Sequence, residues 1–294
     1  WYGTPVVLKA DSLGEMSGEF FRAGLGEWRM KPEGAVVSAL LGLRARYLRM
    51  ADAHVAVSAE VERELLAQAV PRERIHRIAN GVDTDRFQPT TATRRIQLRQ
   101  ELELPAGPVL VYTGRLVSYK GLPLLLEAWR VISGRRAGTL VLVGEGGGDS
   151  HNCEAQLKAY AATHGMGERV RFAGAVTRVE DWLGAADLFV FPTENEAFGL
   201  SLVEAMACGL PAVTTAVGGI GDYADHGVNA WIIEAGDGVA MIAGIERLLD
   251  DAGLASRLGR AARETVQARY GEDAIAMQYE NLLSKLVAAH GPPG

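Results

Sequence analysis

The chain has 294 residues, 48 % of them hydrophobic and 22 % charged, with a formal net charge of −6. That length and apolar content can bury more than one domain core, and the acidic balance excludes a nucleic-acid surface, which needs a basic face. Cys153 and Cys208 match no zinc or redox spacing, and the histidines form no H-E-x-x-H motif. A reducing, cytoplasmic setting fits these thiols. No apolar run reaches the roughly 18 residues of a membrane-spanning helix.

In chain order, Trp1 to Pro5 leads almost directly into a strand at Val6–Lys9, with neither an initiator methionine nor a signal peptide. Such a start suggests a fragment or a processed chain. A polar loop from Ala10 to Glu19 follows, carrying Asp11 and Glu15. Leu40–Met50 reads as a helix with Arg44, Arg46 and Arg49. Such a helix can lie on an anionic membrane, although a solvated face explains the same arginines more cheaply. A strand at His54–Ser58 precedes a helix over Ala59–Ala69, with Ser58 as its N-cap. Another strand, Ile75–Ala79, runs into Asn80-Gly-Val-Asp-Thr-Asp-Arg-Phe87, where Asp83 is suited to bonding turn backbone.

A second α/β series then begins. After a charged helix near Arg94–Leu102 comes the strand Val109–Tyr112, then the loop Gly114-Arg-Leu-Val-Ser-Tyr-Lys-Gly121. Arg115 and Lys120 place two cations on one strand-end loop. A guanidinium makes paired bonds to phosphate, and an ammonium adds a mobile point charge. The strand Thr139–Val143 ends in Gly144-Glu-Gly-Gly-Gly-Asp149, which is neither a Walker loop nor a G-x-G-x-x-G turn. It reads as a tolerated insertion rather than a mobile loop. A strand and turn at Arg169–Gly174 follow.

Asp187–Pro192 is a buried strand closed by proline, and Glu194 opens the densest stretch. Glu196 and Glu204 have seven residues between them. Ala197, Phe198, Gly199 and Leu200 bring backbone N–H groups to a helix start, where an anion binds well. Cys208-Gly209 ends that helix, with Pro211 beyond. A further strand ends at Gly218-Gly219, Gly227–Ile233 is the last strand, and helices fill most of the remainder. From spacing alone, both acids also suit a simple helix start and its wet face.

The string E-A-F-G-L-S-L-V-E-A-M-A-C-G-L-P followed by G-G-I resembles the Glu-x7-Glu signature of family 4 glycosyltransferases, which are retaining enzymes of the GT-B fold. Three other segments fit. G-R-L-x3-K-G resembles the family element that binds the donor diphosphate. N-G-V-D before F and P looks like its inter-domain connection, so Asp83-Thr84-Asp85 is not read as the metal-holding D-x-D of GT-A enzymes. R-V-R-F-A-G resembles the segment whose following backbone meets the nucleobase, pointing to Val176.

The resemblance implies an α/β GT-B architecture in which a Rossmann-like donor domain accompanies the remnant of a second one. Residues 1–88 would be the later part of the acceptor domain, 89–270 the donor domain, and 271–294 a final helix crossing back. It implies transfer of a hexose-type sugar from a nucleotide-diphosphate sugar to a glycan or lipid-linked acceptor, with retention by front-face attack. Glu196, Arg115 and Lys120 would be the catalytic residues. Gly114, Val176, Ala197, Phe198, Gly199, Leu200 and Glu204 would bind substrate, with Glu196 on the sugar and Glu204 on the ribose. No metal and no cofactor beyond the donor are implied, and contact would be at most peripheral to the inner membrane face. Two departures stand out: Asp222 lies where relatives usually carry glutamate, and Lys9, Ala10, Asp11 and Ser12 lie where many carry a histidine. Asp11 or Glu15 could then face the acceptor, although an ordinary surface-loop acid explains either more cheaply.

Other readings are a donor-binding module without turnover, or another GT-B enzyme such as a sugar-nucleotide epimerase or a phosphorylase. A dinucleotide dehydrogenase lacks support because the glycine fingerprint is absent.

Overall fold

The computed structural model describes residues 4–12 and 35–291. Glu15 and most of its loop lie outside the described residues. The chain forms two compact units. One comprises Trp1–Gly81, Glu196–Phe198 and Glu272–Gly294; the other comprises Val82–Asn195 and Gly199–Gly271.

In the first unit, β1 (Val7–Ala10), β2 (Ala53–Ala56) and β3 (Ile75–Arg77) form a parallel sheet in the order β1-β2-β3. All four residues of the central strand are buried, which is why it shows no alternation of apolar and polar residues. Helix α1 (Ala35–Leu48) precedes β2 and begins earlier than the expected Leu40. Leu40, Leu43 and Tyr47 on it are exposed. Arg49, just past its end, is committed locally through a bond from Nη1 to the Gln68 carbonyl at 3.0 Å. Helix α2 (Ala59–Ala67) starts where the Ser58 hydroxyl accepts the Val61 N–H, removing one orphan donor of the first turn.

The second unit opens with the turn at Asp83, whose carboxylate accepts the N–H groups of Asp85 and Arg86 at 3.0 and 2.9 Å. Helix α3 (Ala92–Glu101) follows, capped by Thr91. The chain then alternates through β4 (Val109–Thr113), α4 (Leu122–Ser133), β5 (Thr139–Val143), α5 (Glu154–Thr163), β6 (Val170–Gly174) and α6 (Val179–Ala185). It continues through β7 (Leu188–Phe191), α7 (Leu200–Ala207), β8 (Ala212–Thr215), β9 (Trp231–Ile233), α8 (Gly238–Asp250) and α9 (Ala252–Arg269). The last strand is shorter than expected because the chain turns at Gly227, with φ of +72°.

The six strands pair in parallel in the order β6-β5-β4-β7-β8-β9. β4, β5, β7 and β8 are buried at every residue. The order reverses between β4 and β7, which pair directly through Leu110–Leu188 and Val111–Phe189. Connections from these two strands leave in opposite directions, so their carboxyl ends border the crevice where open α/β sheets bind ligands.

The final helix, α10 (Glu272–His290), packs in the first unit. Ile275 and Leu282 join Ala53, Val55 and Ile78, with Tyr279 and Leu286 alongside. Positions 275, 279, 282 and 286 form one apolar stripe at helical spacing. No helix among the described residues is long and apolar enough to cross a membrane.

Candidate functional site

The loop after β4 carries Gly114, Arg115 and Lys120, and it ends in a short 3₁₀ turn at Ser118–Lys120. Gly121 closes that turn with φ of +69° and starts α4. A Cβ at this position would overlap the Pro192 carbonyl oxygen, so only glycine permits the approach of the β4 loop to the exit of β7. The same two segments are joined by hydrogen bonds. Glu194 N–H donates to the Tyr119 carbonyl at 2.9 Å. Lys120 Nζ donates to the Asn195 carbonyl at 3.2 Å, and the Thr193 hydroxyl reaches that same oxygen at 3.0 Å.

Lys120 is buried at 9 % exposure. Its ammonium lies 5.4 Å from the Tyr119 ring centroid and 5.6 Å from that of Phe191, positions where ring quadrupoles favour a cation. Arg115 is presented outward, with 60 % of its side chain exposed. Its Nη1 pairs with Asp149 Oδ2 at 2.6 Å and its Nη2 donates to the Tyr119 hydroxyl at 2.6 Å.

Asp149 ends the glycine run. The residues on either side of its glycines are bonded to the β4 loop. Leu116 N–H donates to the Glu145 carbonyl, Ser118 N–H to the His151 carbonyl, and Cys153 N–H to the Leu116 carbonyl, at 2.9–3.0 Å. Val117 and Asn152 also form a β-bridge. Cys153 is buried at the start of α5. The Asp149 carboxyl is held below the usual carboxylate range by the His151 N–H it accepts, with the Arg115 charge adding to the effect.

On the other side of the switch point, Gly199 caps α7 with φ of +90° and no side chain bonds the helix start. The N–H groups of Leu202 and Val203 both turn back onto the Gly199 carbonyl at 3.0 and 3.1 Å, which leaves those of Leu200 and Ser201 as the donors at the helix start without an intrahelical acceptor. Tyr223 Oη donates to the Gly199 carbonyl at 3.2 Å, and Leu200 is exposed. Ala197 and Phe198 are buried and Glu196 is partly buried, and these three residues belong to the first unit. In that unit Asp11 pairs with Lys9 at 2.9 Å.

Glu204 lies in the second turn of α7. Burial pushes its carboxyl up to about 7, with the Arg86 charge opposing the rise and that of Glu180 reinforcing it. Arg86 gives Nε and Nη2 to Glu180 and Nη2 also to the Thr177 carbonyl, at 3.2 Å. Thr177 follows Val176 in the loop after the edge strand β6. Val176 is two strands away from β4, yet its loop is tied to the ion pair beside Glu204.

The structure therefore gathers Gly114, Arg115 and Lys120 on one loop and joins that loop to the segment entering α7. Glu204 and the Val176 loop form a second group around Arg86. Tyr119, Asp149, Arg86 and Glu180 were not singled out from sequence. Tyr119 lies between the two cations and Asp149 closes a glycine run, so both left a local signal. Arg86 and Glu180 left none. Among the described residues no group of three or more His, Cys, Asp or Glu side chains could hold a metal ion.

The glycosyl transferases group 1 family model matches residues 94–265, and the glycosyltransferase family 4 model matches residues 26–86. The chain is 33 % identical over 253 residues to the D-inositol 3-phosphate glycosyltransferase of Xylanimonas cellulosilytica, covering 84 % of this chain and 58 % of that protein. It spans less than two thirds of the length of such curated relatives. Among solved structures, sucrose-phosphate synthase from Thermosynechococcus elongatus matches with a TM-score of 0.77 and 27 % identity, over 96 % of this chain and 68 % of that one. Anabaena Alr3699/HepE, solved with UDP and glucose, matches with a TM-score of 0.80 and 24 % identity, over 95 % and 71 %. The fold is of the GT-B class.

Proposed function

This chain belongs to the glycosyl transferases group 1 family, and on that footing we propose that it moves a hexose-type sugar from a nucleoside-diphosphate sugar to a glycan or lipid-linked acceptor, with retained stereochemistry and no metal. The observation that carries this reading is the pairing of the Arg115–Lys120 loop with the segment entering α7 at the sheet's switch point, through Lys120 and the Asn195 carbonyl. The hard step is departure of the nucleoside diphosphate, which concentrates negative charge on its terminal phosphate. Arg115 supplies a forked set of donors, Lys120 a buried positive charge, and the start of α7 the N–H groups of Leu200 and Ser201. Fixed donors of this kind stabilise developing charge without reorganising.

In this reading Glu196 bonds the sugar hydroxyls and supports positive character at the anomeric carbon. Glu204 accepts from the ribose, and the Val176 backbone meets the base. Front-face attack by the acceptor gives retention without a protein nucleophile. The exposed Leu40, Leu43 and Tyr47 on α1, with Arg46 beside them, support peripheral contact with an anionic membrane bearing the acceptor.

Calorimetric titration of the chain with UDP, GDP and ADP, metal-free, tests the donor site. The expected result is binding of one nucleotide that Arg115→Ala weakens sharply. No binding to any of them overturns the reading. Transfer from labelled donor that survives Glu196→Ala intact would remove the sugar-binding role of that residue, and donor binding without any transfer would favour a binding module.

A further inference from the structure

We propose that Asp149 is a positioning residue for Arg115, holding the guanidinium so that its remaining N–H groups are presented to the donor diphosphate. This rests on the donor-site reading above. Asp149 approaches Arg115 Nη1 at 2.6 Å while Tyr119 Oη approaches Nη2 at 2.6 Å. A guanidinium carries five N–H donors, so anchoring one on each terminal nitrogen fixes its plane and leaves three for a ligand.

The acid is the fixed partner and the arginine the presented one. The Asp149 side chain is 18 % exposed against 60 % for Arg115. Its second oxygen accepts the His151 N–H at 2.9 Å, and the His151 ring stands edge-on to Tyr119 at 5.4 Å. The backbone pairings of Leu116, Val117 and Ser118 with Glu145, Asn152 and His151 make the two loops one body. Gly144 permits this closeness, because a Cβ there would overlap the Gly114 carbonyl oxygen. An otherwise mobile long side chain is thereby ordered before the ligand arrives, so that binding does not have to order it.

A carboxylate beside the phosphate site also repels an anion, so the sign of the mutational effect decides between positioning and competition. Asp149→Ala, measured by calorimetry in the full chain with the nucleoside diphosphate that the wild type binds, is expected to weaken affinity roughly three- to tenfold. Removing a negative charge alone would strengthen binding, so a loss of affinity comes from lost orientation. Asp149→Asn, which keeps one acceptor oxygen, recovers part of the loss. In an Arg115→Ala background the Asp149→Ala change costs no further affinity, whereas a general loosening of the loop would still weaken binding. Unchanged or tighter binding by Asp149→Ala overturns the proposal while leaving the donor site intact, provided Arg115→Ala still weakens binding. A wild-type chain that binds no nucleoside diphosphate overturns the donor-site reading and this inference with it.

Discussion

Arg86 and Glu180 form a forked ion pair, Nε and Nη2 reaching one carboxylate oxygen at 3.1 and 2.8 Å, and Glu204 lies half-buried beside it. The guanidinium lends Glu204 charge while spending its short bonds on Glu180. Desolvation therefore dominates, and the Glu204 carboxyl rises from 4.5 to about 7.

A stability profile should reveal this. A carboxyl whose folded value lies above its unfolded one holds its proton more tightly in the folded state. Stability then falls as pH rises from about 4.5 to about 7, by at most about 3 kcal/mol, and the slope ends above that window. Glu204→Gln stays neutral throughout and should flatten the slope. Urea denaturation at pH 5 and pH 8 for both proteins measures the difference, and equal slopes would refute the burial argument.

Ligand binding should run the other way. A ribose diol donates to a carboxylate, so affinity for a nucleotide sugar is expected to increase between pH 6 and pH 8 as Glu204 ionises. The diphosphate of a nucleotide sugar is esterified at both ends and does not titrate there, so the slope reports on the protein. Glu204→Gln should bind more weakly at pH 8 and lose most of the slope. A slope unchanged in the variant would remove Glu204 from the nucleotide site.

Lys120 offers a cleaner separation of binding from folding. Its carbonyl partner on Asn195 also accepts the Thr193 hydroxyl, so removing the ammonium does not orphan that oxygen. Lys120→Met keeps the apolar stem between Tyr119 and Phe191. It is expected to fold with little change in Tm and to lose roughly ten- to a hundredfold in affinity for a nucleoside diphosphate, the scale of one or two lost charge-assisted bonds. Thermal scanning and calorimetry on the same sample check both halves.

The parts legible in the sequence were those with local causes. Buried parallel strands are continuous apolar runs, so β4, β5 and β7 were readable from composition, and the end of α7 was readable from Cys208-Gly209. The Gly114–Gly121 loop was legible because its two cations follow one strand. Arg86 and Glu180 are 94 positions apart, and Arg115 and Asp149 are 34 apart. Those pairs exist only because of the strand order β6-β5-β4-β7, which no local periodicity encodes. The pairing of the segment after β5 with the β4 loop was hidden for the same reason, since Glu145 and His151 bond Leu116 and Ser118, on a different loop of the chain.

Arg263 shows how that long-range order supports the site. Its Nη1 donates to the carbonyls of Phe87 and Ala207 at 2.6 and 2.7 Å, and its Nη2 to that of Thr84 at 3.0 Å. One side chain on α9 thus ties the segment carrying Arg86 to the end of the helix carrying Glu204. Arg263→Ala leaves three carbonyls without this donor and is expected to cost roughly 2–4 kcal/mol. Arg263→Lys, whose ammonium cannot spread over three oxygens held this far apart in the chain, should restore only part of that. Because the lost bonds hold Arg86 near Glu204, the pH slope of stability between pH 5 and pH 8 should change in Arg263→Ala as well. Denaturation curves at both pH values test the two effects together, and a variant with lower stability but an unchanged slope would confine Arg263 to a packing role.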